Sequence, residues 1–169
     1  MAIAKEIIDF SNDTSDSFVE NYYKVTDYQR ENLKEFYNDS SAVVWNGTPI
    51  QGLDSLDNLF RSLPITLHEI QSWDCHPIQD VSTNELSSIL LNVNGLVSIG
   101  KQSINEFKDG KTLGKHKNKD IALLPKTFSQ NFVLSRNFNN QWFILCKYRE
   151  IIAYFILIKA LADCFRYVG

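Results

Sequence analysis

The spacing of apolar residues in the first part of the chain predicts helices. Over residues 5–25, apolar and small side chains recur every three or four positions, which places them on one helical face. These positions are Ile7, Ser11, Thr14, Phe18 and Tyr22. The polar residues 11–13 allow an alternative, in which they cap a shorter helix that begins at Thr14. A second short helix is predicted over about residues 28–37, with Asp27 as its N-cap.

The pattern then becomes alternating, which predicts a β-hairpin followed by a third helix. Residues 42–45 favour a strand, Asn46-Gly47 is a preferred two-residue hairpin turn, and residues 48–50 begin the returning strand. A helix is predicted over residues 55–63, with Pro64 at its end. Its apolar stripe consists of Leu56, Leu59, Phe60 and Leu63.

The rest of the chain predicts strands. These cover residues 66–76, 87–99, 127–136 and 141–145. Ile70 and Trp73 are expected on the buried face of the first, and Gly95 indicates a bulge or bend in the second. Residues 103–126 are polar and rich in lysine, so they predict a solvated loop. Helices followed by antiparallel strands predict a single α+β domain, residues 1–169, with about three helices packed on a curved antiparallel sheet.

Composition and charge argue against some classes of ligand and indicate a cellular compartment. The 169 residues suffice for one domain. Seventeen Lys and Arg against twenty Asp and Glu give a net charge of -3, which argues against duplex nucleic acid as the main ligand. The three cysteines have no metal-ligand spacing and the first residues do not resemble a signal peptide, so we expect a reducing, intracellular compartment. No motif for a metal, a phosphate or a nucleophile is present, and no cofactor is expected.

Residues 146–162 do not fit the alternating pattern. They follow a predicted strand without a turn signal, and their apolar stretch is too short to span a bilayer. One interpretation is a core helix or an additional strand. The other is an intron-derived insertion, because Cys146-Lys147-Tyr148 can be encoded by a strong intron start and Leu161-Ala162 by an intron end. Excision between these points keeps the reading frame and leaves one serine codon at the junction.

Five pieces of sequence stand in an order that resembles one known family. They are Asp27-x-x-Arg30-x-x-Leu33-x-x-x-Tyr37; Val44-Trp45-Asn46-Gly47 with Gly52-x-x-Ser55-Leu56-x-x-x-Phe60-x-x-Leu63-Pro64; Asp74-Cys75-x-Pro77; Phe128-Ser129-Gln130-Asn131-Phe132-Val133-Leu134; and Asp163-Cys164-Phe165-Arg166-Tyr167. Together they resemble the nuclear transport factor 2-like export proteins, over about residues 15–145 and 163–168. The loop 103–126 is longer than in that family. Residues 146–162 interrupt a strand that is continuous in the family, which favours the intron interpretation.

The resemblance implies a fold, a partner and a cellular role. The expected fold is a cone-shaped α+β domain whose open sheet face packs on a similar domain of a large messenger-RNA export receptor subunit. The heterodimer is expected to carry messenger ribonucleoprotein through nuclear pores by contacting Phe-Gly-repeat nucleoporins, mostly through the large subunit. The resemblance therefore implies a non-enzymatic adaptor that shuttles between nucleus, nuclear pore and cytoplasm, without direct sequence-specific nucleic acid binding and without a membrane.

Arg166 is the main candidate for the partner-binding site. It lies between Phe165 and Tyr167 in a predicted strand, where an unpaired guanidinium would be costly to bury. The matching arginine of the family pairs with an acidic residue of the large subunit, which implies the same role here. The alternatives are an intrachain pair with Asp163 and simple exposure. Phe165, Tyr167 and Asp163 are assigned to the same candidate surface.

A second candidate region lies in the strand predicted over residues 127–136. Gln130, Phe132 and Leu134 alternate with Ser129, Asn131 and Val133, so one set faces the cone and the other faces the partner. The alternation alone does not decide which set faces outward. We assign Gln130, Asn131 and Phe132 to the candidate partner-binding surface.

Two other functions are considered. The first is a homodimeric nuclear import factor that binds a small GTPase in its GDP form. The second is a cone-pocket isomerase or dehydratase that uses Asp74, Cys75 or His76, although adjacent strand residues point to opposite faces, so Asp74 and Cys75 cannot both face a pocket. Trp45 is interpreted as a core residue and Asn46-Gly47 as a turn. His68 is predicted at the surface of a strand and His116 in a loop.

Overall fold

Two α-helices and a 3₁₀ helix pack against one seven-stranded sheet in the part of the chain that the structure describes. This computed structural model describes residues 3–83, 85–100, 125–136 and 142–145, together with the backbone of 163–168. The predictions for most of the loop 103–126, for His116 and for residues 146–162 lie outside these ranges. The helices are α1 Lys5–Tyr28, the 3₁₀ helix Arg30–Phe36 and α2 Leu53–Ser62.

The sheet is antiparallel apart from one contact between its two halves. Its strands are β1 Ala42–Trp45, β2 Thr48–Gln51, β3 Thr66–Gln79, β4 Leu86–Ile99, β5 Lys126–Arg136, β6 Trp142–Ile144 and β7 Asp163–Val168. They are ordered β2-β1-β7-β5-β4-β3, and β6 pairs with β5. Only β1 and β7 run parallel among the described strands. The predicted α+β fold, with about three helices on a curved sheet, is confirmed.

The first helix is the longer of the two alternatives. It runs from Lys5 to Tyr28 without interruption, and the hydroxyl of Ser11 donates to the carbonyl oxygen of Ile7 at 2.7 Å inside it. The prediction of a shorter helix from Thr14 is therefore wrong. The prediction that Asp27 caps the second helix is also wrong, because Gln29 occupies that position and makes no side-chain cap.

The hairpin and the third helix follow their local signals. Asn46 and Gly47 have φ values of 48° and 84°, as a two-residue turn between twisted strands requires. Trp45 packs against Phe60, with 6.3 Å between ring centroids, in agreement with its predicted core role. Helix α2 begins at Leu53, two residues earlier than predicted, and ends before Pro64.

A bulge in β3 explains how Ile70 and Trp73 share one face. The pairing of β3 with β4 shifts by one residue between Ile70 and Ser72, which cancels the alternation that would otherwise separate them. Both side chains consequently pack on the core. Gly95 lies opposite the bulge, where a Cβ atom would overlap the carbonyl oxygen of Glu69. The irregularity that Gly95 predicted is thus confirmed, and the extra residue lies in the neighbouring strand.

The space between helices and sheet is filled by aromatic rings. Phe18 and Tyr22 of α1 contact Phe132 of β5, with ring centroids 5.1 Å and 4.9 Å away, in edge-to-face geometry. Phe128, Phe132, Leu91 and Val93 are fully buried on this side of the sheet. Among the described helices, none combines the length and the apolar surface that a membrane crossing requires.

A buried carboxylate joins the end of α1 to the start of β3. Asp27 Oδ1 accepts hydrogen bonds from Thr66 Oγ1 at 2.8 Å and from His68 Nδ1 at 2.7 Å, and its Oδ2 accepts the backbone N–H of His68 at 2.8 Å. The Asp27 and His68 side chains are each only 4% exposed. The prediction that His68 lies at the surface is therefore wrong. Its ring packs between those of Tyr23 and Phe128.

Arg30 extends this junction to the end of α2. Its Nη1 donates to the carbonyl oxygens of Leu63 and Pro64 at 2.8 Å and 2.6 Å, and its Nη2 donates to Thr66 Oγ1 at 2.7 Å. The Nε atom of Arg30 donates to the carbonyl oxygen of Thr26, which closes the last turn of α1. The junction formed by Asp27, Arg30, Thr66 and His68 therefore fixes both α-helices to one end of the sheet.

We expect the Asp27 carboxylate to make the free energy of unfolding depend on pH in the acidic range. Burial raises its pKa, but the hydrogen bonds and charge of His68, with the Thr66 hydroxyl, outweigh burial and leave the pKa below its usual value. A lowered folded-state pKa contributes stability above the unfolded pKa of about 3.9, and this contribution is lost as pH falls through the folded pKa. Asp27→Ala should lower the free energy of unfolding by about 3–5 kcal/mol at neutral pH.

Urea unfolding at pH values from 7 down to 2 measures this effect. Asp27→Asn should remove part of the acid-dependent loss of stability, whereas Asp74→Asn, a change at an exposed carboxylate of β3, should leave that loss unchanged. Identical pH profiles for wild type and Asp27→Asn would contradict the assignment.

Strands β6 and β7 follow one another along the same edge of β5. The N–H of Leu145, directly after β6, donates to the carbonyl oxygen of Val133 at 2.8 Å. The pairing of β7 with β5 includes Cys164 opposite Asn131. Only Phe132 separates these two points on β5, so Leu145 and Cys164 meet the same edge of β5 at neighbouring positions. A strand that passed directly from Leu145 into Asp163 would use the same edge.

We expect a variant in which one serine replaces residues 146–162 to form the same sheet. Its free energy of unfolding should equal or exceed that of the full chain by on the order of 1–2 kcal/mol, because a long connection between paired strands is shortened. Urea unfolding compares the two chains, and sequencing the mature transcript tests the intron interpretation. A transcript that retains the segment, or a shortened chain that fails to fold, would contradict the respective expectation.

Candidate docking surface

Alternate residues of the central strands form two different faces of the sheet. The core face lies under the helices. On the other side, which we call the open face, half-buried and exposed residues alternate with the core positions. The open face consists of Ser72, Asp74 and His76 from β3, Leu90, Asn92, Asn94 and Leu96 from β4, and Ser129 and Asn131 from β5.

Gln130 and Phe132 belong to the core face. Gln130 is 1% exposed, its Oε1 accepts the Tyr23 hydroxyl at 2.9 Å, and its Nε2 donates to the Tyr22 hydroxyl oxygen at 3.3 Å. Phe132 is fully buried beneath Tyr22. The prediction that Gln130 and Phe132 contact a partner is wrong, because neither side chain reaches the open face. Asn131 does lie on that face and stays a candidate.

The Gln130 side chain is part of a buried chain of polar groups. The Tyr22 hydroxyl, which accepts from Gln130, also shares a hydrogen bond of 2.8 Å with the Tyr37 hydroxyl. Each of these polar groups would be costly to bury alone, and each finds a partner inside the cone. Helix α1, the 3₁₀ helix end and β5 are thereby held together from within.

The backbone register relates β7 to the two faces. Arg166 pairs with Ser129, whereas Phe165 pairs with Gln130 and Tyr167 pairs with Phe128. Directly opposed positions of an antiparallel pair belong to the same face. By register, Arg166 therefore occupies a position of the open face, whereas Phe165 and Tyr167 occupy positions of the core face; the partner contacts of all three residues stay predictions.

Asp163 occupies a different position from Arg166. In the parallel pair of β1 and β7, Asp163 stands opposite Val43, a buried core-face residue. Positions 163 and 166 are three positions apart along one strand, so by alternation they belong to opposite faces. The register thus disfavours the alternative of an intrachain ion pair between Asp163 and Arg166.

Three asparagine side chains form a ladder across the open face. Asn94 Nδ2 donates to Asn92 Oδ1 at 2.6 Å, and Asn92 Nδ2 donates to Asn131 Oδ1 at 2.7 Å. The Ser129 hydroxyl lies 3.5 Å from Asn92 Nδ2. Leu90 and Leu96 lie at the two ends of this polar strip on β4. The open face therefore combines hydrogen-bonding groups with an apolar border, a composition typical of recognition surfaces.

The three residues considered for acid–base chemistry do not all lie on one face of the sheet. Asp74 and His76 are exposed on the open face, whereas Cys75 packs toward the core and its Sγ donates to Asn12 Oδ1 at 3.2 Å. In the described ranges, no three His, Cys, Asp or Glu side chains lie close enough together to hold a metal ion. The sequence did not predict the buried pair of Asp27 and His68, because 41 positions separate the two residues. Only the presence of Asp27 in a family motif pointed to it.

Among the described residues, the helices cover one face of a curved sheet and no helix covers the other, the arrangement of the nuclear transport factor 2-like class of folds. A family profile described as "Nuclear transport factor 2 (NTF2) domain" matches residues 14–119, and the chain belongs to this family. It is 38% identical over 113 residues to an NTF2-related export protein of Caenorhabditis elegans, covering 66% of this chain and 82% of the relative. The resemblance to the export proteins is thereby confirmed.

Solved structures agree with this fold. Nuclear transport factor 2 from Cryptosporidium parvum superimposes with a TM-score of 0.63 at 21% identity, covering 99% of both chains. A chain in the Candida albicans Mtr2–Mex67 M domain complex superimposes with a TM-score of 0.57 at 14% identity, covering 90% of this chain and 93% of that one. At these sequence identities, the similarity to the two solved structures shows a shared fold alone.

Neighbouring substitutions in β5 should separate the two faces. Gln130→Ala should lower the free energy of unfolding by about 1–3 kcal/mol, because the buried Tyr23 hydroxyl loses its acceptor. Asn131→Ala should lower it by less than about 1 kcal/mol, because Asn131 is partly solvated. Urea unfolding of both variants tests this. Equal losses at the two positions would contradict the assignment of faces.

Proposed function

We propose that this protein is the small subunit of a heterodimeric messenger-RNA export receptor and that its open face binds a similar domain of the large subunit. The observation that carries the proposal is the open face itself, a sheet surface of mixed polar and apolar residues that no described helix covers, on a chain of the NTF2 family. The name of the C. elegans relative and the Mtr2–Mex67 complex in the C. albicans structure support an export role over other roles of the fold.

Sheet-to-sheet packing explains how such a face can bind. Two sheets stack about 10 Å apart and interlock the side chains of their facing surfaces. Leu90 and Leu96 supply apolar area, and the asparagine ladder between them supplies hydrogen-bonding groups. The partner must accordingly be a second sheet, which another domain of the same fold provides.

Arg166 is proposed as the charged contact of this interface. Its register position opposite Ser129 lies on the open face, next to the position of Asn131. A guanidinium that meets a carboxylate forms two charge-assisted hydrogen bonds and fixes the alignment of the two chains. The partner residue is therefore proposed to be an aspartate or glutamate of the large subunit.

The role of the small subunit follows from this interface. Covering the sheet of the large subunit would stabilise that subunit, and the heterodimer would carry ribonucleoprotein through the nuclear pore and shuttle between nucleus and cytoplasm. Contacts with Phe-Gly-repeat nucleoporins are assigned mainly to the large subunit. The aromatic filling of the cone by Phe18, Tyr22, Phe128 and Phe132 supports an adaptor over a pocket enzyme.

Purification of the tagged protein from its own cells tests the proposal. The expected product is a one-to-one complex with a larger chain that contains its own nuclear transport factor 2-like domain. A homodimer that captures a small GTPase in its GDP form would instead identify an import factor and would overturn the proposal.

Arg166→Ala should abolish binding to the large subunit while the protein stays folded. Loss of one member of a desolvated charge pair costs on the order of 2–5 kcal/mol, so affinity should fall by roughly 30-fold or more. The matched control is Arg61→Ala on α2, which removes an exposed pair with Asp57 on the helical side. Pull-down with the large subunit and far-ultraviolet circular dichroism measure binding and folding. Unchanged binding of Arg166→Ala would refute the assigned role.

A further inference from the structure

We infer that the ladder of Asn94, Asn92 and Asn131 selects the partner, and that the facing sheet of the partner carries amide or hydroxyl side chains that pair with both ends of the ladder. This inference rests on the proposed function, because it assigns specificity to the same open face. It concerns three side chains whose positions and hydrogen bonds the structure describes.

The ladder has a direction. Each amide nitrogen donates to the next carbonyl oxygen, from Asn94 through Asn92 to Asn131, over distances of 2.6 Å and 2.7 Å. The two connected contacts therefore couple the orientations of the three amides, since flipping any one of them alone would oppose two donors or two acceptors. An oriented row of amides presents a fixed pattern to an approaching surface.

Within the described part of the chain, the two ends of the ladder are open to a partner. Among the described residues, neither Asn94 Oδ1 nor Asn131 Nδ2 has a hydrogen-bond partner in the chain. The three side chains are already half-buried, so a second sheet would remove the remaining water from them. A partner that offers a donor near Asn94 and an acceptor near Asn131 replaces that water, and any other partner leaves two polar groups unpaired.

The ladder adds little to the pairing of the strands on which it lies. Strands β4 and β5 are already joined by a continuous register from Ser88 opposite Ser135 to Val97 opposite Lys126. Asparagine is disfavoured in strands compared with Val, Ile or Thr. Two asparagines at alternate positions of β4 thus reduce strand propensity without joining any additional element, which favours a role in recognition over a role in folding.

The apolar border makes the ladder selective. Leu90 and Leu96 lie beyond the two ends of the polar strip on β4, and their burial against a partner would keep water from the amides between them. A wholly apolar partner sheet would then trap the ladder ends unpaired, as a single buried asparagine disfavours wrong partners in coiled coils. The ladder therefore excludes apolar sheets, including a second copy of this chain in any alignment that leaves the amides unmatched.

Titration calorimetry with the large-subunit domain tests the inference on the full chain. Asn92→Leu and Asn131→Leu keep the branched shape of the side chain and favour strands at least as well, so both variants should fold, as thermal melting will verify. Each should weaken binding by about 10- to 100-fold, the usual effect of unpaired polar groups in an interface. Asn58→Leu, the same change at an exposed position of α2 on the helical side, is the matched control and should bind within about twofold of wild type.

The outcomes separate this inference from the proposed function. Wild type that binds the large-subunit domain, with Asn92→Leu and Asn131→Leu equally tight, overturns the ladder alone. Wild type that forms only a homodimer overturns the proposed function. In that case, sedimentation of Asn92→Leu and Asn131→Leu tests the ladder separately. A homodimer weakened by about tenfold or more supports the ladder, and an unchanged homodimer overturns it. Wild type that remains monomeric and binds no second sheet overturns both.

Discussion

The architecture depends on a carboxylate that is buried where helices and sheet meet. Asp27 is stable as an anion there because His68 and Thr66 donate to it, and Arg30 connects the same junction to the end of α2. Both α-helices are thus held against one face at one end of the sheet. Their placement on the core face leaves the opposite face without a described helix over it, so a polar contact inside the cone determines which surface the described helices leave open.

Strand β5 contributes side chains to both faces of the sheet. In β5, Gln130 connects with Tyr22 and Tyr23 inside the cone, and the adjacent Asn131 continues the amide ladder outside it. The alternation of a strand makes this division of roles possible over two consecutive residues. Gln130 therefore contributes to folding and Asn131 to the proposed recognition, so a substitution at one position need not disturb the role of the other.

Local signals predicted most elements, because a helix, a hairpin turn and a strand each depend on residues close in sequence. The Asn46-Gly47 turn and the stripe of α2 are examples. The faces of β5 could not be predicted, since its residues are apolar and polar on both sides and only tertiary packing reveals which side the helices cover. The surface position expected for His68 was wrong for a similar reason, because its partner Asp27 comes from a distant helix. The parallel pairing of β1 with β7 likewise joins distant parts of the chain.

The central claim is that the open face, and not the helical side, binds a second sheet. Side-chain amide resonances of the isotope-labelled protein, recorded while the nuclear transport factor 2-like domain of the large subunit is added, test it most directly. The resonances of Asn92, Asn94 and Asn131 should shift and saturate at one equivalent, and that of the buried Gln130 should stay close to its original position. Shifts confined to residues of the helical side, or no shift at all, would contradict the account.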